Sequence, residues 1–177
     1  PKIKLTVTNG PTPETLRYMQ EGRIDFGVVT SPVTGHEEVS VFPVRSIRDT
    51  FVAGYKFWEY KNRIIPLKEL ADVPLICLEK NTSTRRYMDQ FLKASGVLVH
   101  PEIELATSDM IVQFAKRNLG VASVVYDFAR EALESGELFE LKIQKIPERS
   151  ICIVQGSHAT LSSAAQKLIE LIREDIS

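Results

Sequence analysis

Three stretches of this sequence place short hydroxyl and amide side chains directly ahead of a helix-forming run. They are Thr8, Asn9 and Thr12 in "TNGPTPETL", Asn81 to Thr84 in "NTSTRRYMDQFL", and Thr107, Ser108 and Asp109 in "TSDMIVQFAK". The first N–H groups of a helix have no intrahelical acceptor and lie at the positive end of its dipole. Side chains there can cap the helix, or they can join the free N–H groups in hydrogen-bonding an anion without a counter-charge. At any single start, capping is the simpler reading, because Ser, Thr and Asn are the usual caps. A cap needs one side chain, and the run from Asn81 to Thr84 offers more than one. Arg85 and Arg86 follow. An arginine there either reaches an anion bidentately or lies solvated on the outer helix face.

Other chemistries find no comparable pattern. His36, His100 and His158 stand far apart, with no cysteine or carboxylate at metal-ligand spacing, and read as solvated loop residues. There is no G-x-G-x-x-G, G-x-x-x-x-G-K or G-x-S-x-G, and no local signature of a nucleophilic triad. Glu37 and Glu38 lie in a charged loop without an apolar pocket to raise a carboxyl pKa. No catalytic, metal or cofactor site is assigned, and the chain reads as a non-enzyme. Cys77 and Cys152 both sit in apolar, strand-like runs and read as buried free thiols of a cytoplasmic protein, with a single disulfide left open.

The elements that must position the polar turns follow from apolar periodicity. "KIKLTVT" alternates like a strand. A helix follows, with Thr12 as N-cap, Pro13 as first helical residue and Gly22 as its stop, and then a buried strand "IDFGVVT". This βαβ order implies parallel strands. "VSVFPVRS" and "DTFVAGY" are extended, and "PLKEL" is a short helical turn. Strand "VPLICLE", helix "TRRYMDQFLKASG", strand "HPEIELAT", a helix ending near Gly120, strand "VASVVY" and helix "DFAREALESGEL" alternate after it. Strands "LFELKIQKI" and "RSICIVQ" and a final helix capped by Ser162 complete the chain.

This order predicts an α/β protein on a mostly parallel sheet, in two Rossmann-like lobes joined by two crossover strands. Residues 1–48 with 149–177 form lobe I and 52–146 form lobe II, with hinges near 46–53 and 146–152. A hinge between α/β lobes makes a cleft, and helix starts at the carboxyl edges of parallel strands converge on it. Trp58 and Tyr60, with Tyr55 and Phe57, are an aromatic stretch read as satellite core in preference to a subunit contact.

Composition bounds the function. The 177 residues carry a formal charge of −1, with 44% apolar and 25% charged residues. That leaves no electrostatic footprint for nucleic acid in this segment. The longest apolar runs, "FGVV" and "VASVV", are strand-sized and too short to span a bilayer. The chain opens on a strand without a Met or a signal peptide, and is read as a piece of a longer protein.

Four stretches together carry a family likeness. "LRYMQEGRIDFGVV", "VPLICLEKNTSTRRYMDQFLKASG", "IELATSDMIVQFAKRNLGVASVV" and "LSSAAQKLIELI" resemble, in order and across nearly the whole chain, the LysR-type transcriptional regulators. The resemblance implies an effector-binding domain with a type 2 periplasmic-binding-protein fold, preceded in the family by a helix-turn-helix DNA-binding domain and a linker helix. It also implies that the first strand and first helix of the domain lie outside this chain. Carried over residue by residue, Thr12, Thr30, Thr82, Ser83, Thr84, Thr107 and Ser108 match ligand-facing positions, Asp25 is structural and Gly22 is a C-cap. Asn118 and Tyr126 depart from the family's usual glycine and proline, so the wall there differs.

The expected function is therefore a sensor. A small carboxylate or oxyanion is held between the lobes by residues drawn from Thr8, Asn9, Thr12, Thr30, Thr82, Ser83, Thr84, Thr107 and Ser108. The change in lobe angle then passes to DNA-binding domains through a homodimer or homotetramer. DNA would be contacted only through the helix-turn-helix domain, and no membrane is involved. The rival reading is a transport-type solute-binding protein of the same fold.

Overall fold

The computed structural model describes residues 3–33, 38–157 and 160–176. His36, Glu37 and His158 lie outside the described residues. The chain forms two compact units, residues 1–46 with 149–177 and residues 47–148.

The second unit is a five-stranded sheet in the order β5-β4-β6-β3-β7. Its strands are β3 (Asp49–Ala53), β4 (Leu75–Leu78), β5 (Ile103–Leu105), β6 (Val121–Val125) and β7 (Phe139–Glu140). β4 pairs in parallel with β5 and β6, while β3 pairs antiparallel with β6 and β7. The sheet is thus mixed, not mostly parallel. The crossing segment enters as β3 beside β6 and runs against it, which residue periodicity cannot reveal.

Strand side chains alternate faces, and here both faces are apolar. Phe51, Leu75, Cys77 and Val121 enter one core with Met88 and Leu92 of α2 (Ser83–Ala94). Val52, Ile76, Leu78, Ala122 and Val124 enter the other. Their partners there are Ile111, Val112 and Ala115 of α3 (Ser108–Lys116) and Ala129 and Ala132 of α4 (Tyr126–Glu134). Helices on both faces explain why these strands read as continuous apolar runs.

Helix ends follow their chemistry. Gly96 and Gly136, at φ +74° and +79°, take the left-handed turns after α2 and α4. After α3 that role falls to Asn118 at φ 60°, not Gly120. Asparagine tolerates this region better than other side chains, and its Oδ1 also accepts the Lys56 N–H at 2.9 Å. Gly120 is needed for close approach: a Cβ there would stand 2.5 Å from the Pro74 carbonyl oxygen.

The first unit holds a three-stranded sheet, order β1-β8-β2, from β1 (Gly27–Thr30), β2 (Val39–Ile47) and β8 (Arg149–Gly156). Leu16 and Met19 of α1 (Thr12–Gln20) pack with Val29, Cys152 and Val154. By alternation, buried Ile153 faces the other side. α5 (Ser163–Ile176) begins after Ser162, whose Oγ accepts the Ala165 N–H at 3.2 Å. Both cysteines are free and buried.

Several expectations are corrected. Residues 3–11 form no strand, and Ile3, Leu5 and Val7 are 68%, 64% and 80% exposed. Their alternation has no sheet neighbour to bury against, so the parallel βαβ pair is not formed; β1 instead pairs antiparallel with β8. The α1 N-cap is Pro11, and Thr12 is the first helical residue. Pro11 supplies the extended entry, and its carbonyl accepts the Glu14 and Thr15 N–H groups. The run "LFELKIQKI" is a strand only at Phe139–Glu140. The aromatic stretch divides: Phe57 is core and Tyr60 packs on it, while Tyr55 and Trp58 are exposed on a 3-10 helix.

Candidate functional site

In the second unit, β5, β4 and β6 run parallel, so the chain leaves all three at one sheet edge. α2, α3 and α4 start there. Because β3 is antiparallel, Arg48 and Asp49 enter at the same edge, with Asp49 opposite Val125. The two polar turns are direct neighbours: Leu78 pairs with Leu105, and the Glu79 N–H donates to the Leu105 carbonyl at 3.1 Å. At roughly 4.8 Å per strand, the turns after β5, β4 and β6 lie along about 10 Å of one edge.

The roles within the Asn81–Thr84 turn now separate. Thr82 is the N-cap of α2, accepting the Arg85 N–H at 3.2 Å, and its hydroxyl donates to the Glu79 carbonyl at 2.9 Å. That hydroxyl's one proton is therefore committed within the turn. Asn81 accepts from the Arg86 guanidinium through its carbonyl at 3.0 Å. Ser83 and Thr84, half-buried, occupy the first helical positions, where N–H groups lack intrahelical acceptors. In the next turn Thr107 caps α3, its Oγ1 accepting the Met110 N–H at 3.4 Å, and Ser108 is the first helical residue. Each turn thus has a capping threonine followed by a hydroxyl residue at the first helical position; Thr84 comes next in α2 and Asp109 in α3.

Of the two arginines after the turn, Arg86 is exposed, while Arg85 does not behave as the sequence suggests. Arg85 is neither solvated nor open to a ligand; it is 4% exposed. Its Nε donates to both oxygens of Asp89, at 2.9 and 3.0 Å, and its Nη1 to the Leu78 carbonyl at 2.8 Å and to Glu104 Oε1 at 3.1 Å. Burial opposes its charge, and the bonds to Asp89 and Glu104 outweigh this, holding the guanidinium above its ordinary pKa. The signal was present: Arg85, Met88 and Leu92 lie at i, i+3 and i+7, one face of the helix.

Sequence reasoning missed Arg48, which meets Tyr126 at this edge. Arg48 lies 4.0 Å over the Tyr126 ring, is bonded to Glu140, and accepts the Tyr126 N–H through its carbonyl at 2.8 Å. The hydrogen bond it donates to Glu140 raises its pKa above the ordinary value. Thr50 Oγ1 donates to the same carboxylate at 2.6 Å. A hollow of about 420 Å³ opens beside these groups, lined also by Leu141, Lys142 and Lys145. The antiparallel entry of β3 brings Arg48 to this edge, where Tyr126 follows the end of β6.

In the first unit, Thr8 and Asn9 are exposed in the irregular segment ahead of α1, with Thr12 half-buried. Thr30 ends β1, half-buried opposite Ile151. Just beyond it, Ser31 Oγ accepts the Ser150 N–H at 2.8 Å, and the Ser31 carbonyl accepts from buried Arg149 at 3.3 Å. Asp25 is exposed in the turn before β1. A separate groove of about 610 Å³, lined by Phe42, Gln155, Gln166, Ile169, Glu170 and Arg173, runs along α5.

Burial pushes the Cys77 thiol up to about 12 and raises that of Cys152, so neither supplies thiolate near neutral pH. Among the described residues, no group of three His, Cys, Asp or Glu could hold a metal ion. No described helix is long and apolar enough to cross a membrane.

The model of the LysR substrate binding domain matches residues 1–177. Among curated proteins, the transcriptional regulator SsuR of Burkholderia cenocepacia is 24% identical over 180 residues, covering 97% of this chain and 56% of its own. CzcR of Bacillus subtilis is 20% identical over 178 residues, at 98% and 58%. The chain thus spans little more than half the length of these relatives. Among solved structures, the Synechocystis CcmR regulatory domain in complex with 2-PG superposes at TM-score 0.80 and 20% identity, covering 94% of this chain and 80% of that one. The effector-binding domain of QuiR in complex with shikimate gives 0.79 and 14%, at 94% and 78%. The fold is that of these domains, α/β and type 2 periplasmic-binding-protein-like.

Proposed function

The chain belongs to the LysR substrate binding domain family, and on that premise we propose that it senses a small anionic metabolite for a cytoplasmic transcriptional regulator. The single observation that carries the reading is the carboxyl edge of the second unit, where two neighbouring helix starts lie side by side, each with a hydroxyl residue at its first helical position. Ser83, Thr84 and Ser108, with the first N–H groups of α2 and α3, are the proposed anion contacts. Thr82 and Thr107 hold those starts in shape as caps. Thr8, Asn9, Thr12 and Thr30 of the first unit are proposed as the facing contribution, across the cleft that the sequence pattern predicts between lobes I and II.

Carboxylate or oxyanion chemistry suits such a site, because dipoles and hydroxyls bind a negative group without burying a second formal charge. It also accords with two relatives of the same fold, whose structures hold 2-PG and shikimate. Binding then shifts the balance between lobe arrangements, which a homodimer or homotetramer passes to DNA through helix-turn-helix domains. No catalytic role is proposed.

The rival is a transport-type solute-binding protein, since the fold alone does not fix function. Reading the upstream codons tests this directly. A basic helix-turn-helix domain followed by a linker helix is expected; an export signal there overturns the regulator reading. In the complete protein, the ligand should change the affinity for promoter DNA, and no change with any bound ligand would count against it.

A further inference from the structure

We propose that Arg85 is the positioning residue of this edge, fixing the Asn81–Thr84 turn and the neighbouring Thr107–Ser108 turn in their binding arrangement without itself touching ligand. This rests on the effector reading above. Three elements meet at the one guanidinium: the last residue of β4 through the Leu78 carbonyl, α2 through Asp89, and β5 through Glu104. The backbone of the same residue donates to the capping Thr82. Arg85 is therefore tied at one end to the turn itself and at the other to the strand on either side of the gap between the two turns.

Stability alone gives weak reason for such a group. A buried ion cluster often contributes no more than a well-packed apolar residue of similar size, because desolvating the charges offsets their attraction. Arg85 lies on the face of α2 that also carries buried Met88 and Leu92, where an apolar side chain would pack. What the guanidinium adds is geometry, since its planar fork meets several acceptors in fixed directions. Here two of those acceptors, the Leu78 carbonyl and Glu104, belong to the strands that lead into the two turns. A lysine keeps the charge but, as a point donor on a flexible stem, does not reproduce that arrangement.

Amide hydrogen exchange on wild type, Arg85→Lys, Asp89→Asn and Glu104→Gln tests this. In each variant the amides of residues 81–86 and 107–111 should exchange at least tenfold faster, while those of β3 and of α5 keep wild-type rates. Uniform acceleration across the second unit would show an ordinary structural role, and unchanged turn amides would show no role; either overturns the proposal. Asp89 and Glu104 are partly exposed, so Asp89→Asn and Glu104→Gln keep the test decisive if Arg85→Lys fails to fold. Titration of the wild type with inorganic phosphate, sulfate and shikimate runs alongside. Failure of all three to bind counts against the effector reading alone, since the exchange result needs no ligand.

Discussion

Thr82→Asp separates capping from ligand binding at a single atom position. Aspartate is as good an N-cap as threonine or better, so it keeps the acceptor for the Arg85 N–H. Its charge also suits the positive end of α2, an effect of about 0.3–1 kcal/mol. The lost donation to the Glu79 carbonyl is exposed and passes to water. Stability should therefore stay within about 1 kcal/mol of wild type. An anion held by the first N–H groups of α2 would instead meet a carboxylate about 5 Å away. Coulomb's law gives a repulsion of about 3 kcal/mol at an effective dielectric of about 20, and about 1 kcal/mol in a water-like environment. At 1.4 kcal/mol per tenfold, affinity should fall by roughly tenfold to a hundredfold. Thr82→Ala is the counterpart: it loses the cap, about 1 kcal/mol of stability, but adds no charge, so affinity should fall only a few-fold. Calorimetric titration with the tightest-binding organic acid or oxyanion, beside a urea melt of each variant, reads both quantities. Wild-type affinity in Thr82→Asp would refute an anion at this helix start.

Other outcomes follow from the same structure. Burial lifts the Cys77 thiol to about 12, above its ordinary value near 8.5–9, so the unfolded chain deprotonates first as pH rises. The stabilisation is complete below about pH 9 and is lost towards pH 12, at about 1.4 kcal/mol per pH unit. The difference in unfolding free energy from urea melts of wild type and Cys77→Ala should change with that slope from pH 9 to pH 10.5, wild type losing the advantage; parallel curves would refute the assigned burial. Asn118→Ala should cost about 2 kcal/mol, from an unfavourable positive φ and the lost bond to the Lys56 N–H, and Asn118→Gly should recover about half. Chemical denaturation reads this, and equal losses in the two variants would show that φ contributes nothing.

Much of the second unit is legible in the sequence because its signals are local. Thr82 and Thr107 cap where a short hydroxyl precedes an amphipathic run, as Ser162 does in the first unit, and Gly96 and Gly136 end helices where they stand alone after one. Polar turns at the ends of β4 and β5 become neighbours once those strands are parallel. What is not legible depends on pairing. The alternation of Ile3, Leu5 and Val7 is as strand-like as any in the chain, yet a strand exists only with a partner, and these side chains stay exposed. β3 has the composition of a parallel core strand but pairs antiparallel, and that reversal alone brings Arg48 to the candidate site. Arg85 was misread for a different reason. Arginine is seldom fully buried, so composition argues for the surface, while its helical spacing with Met88 and Leu92 argues for the core. Acceptors supplied by Leu78, Asp89 and Glu104 decide between them.

The most direct test of an anion-binding edge is an amide NMR titration of this domain with a panel of organic acids, phosphate and sulfate. At least one compound should bind saturably, with the largest shifts at the amides of residues 82–86 and 107–111, the starts of α2 and α3. Silence towards the whole panel, or saturable shifts confined to the groove along α5, would contradict it.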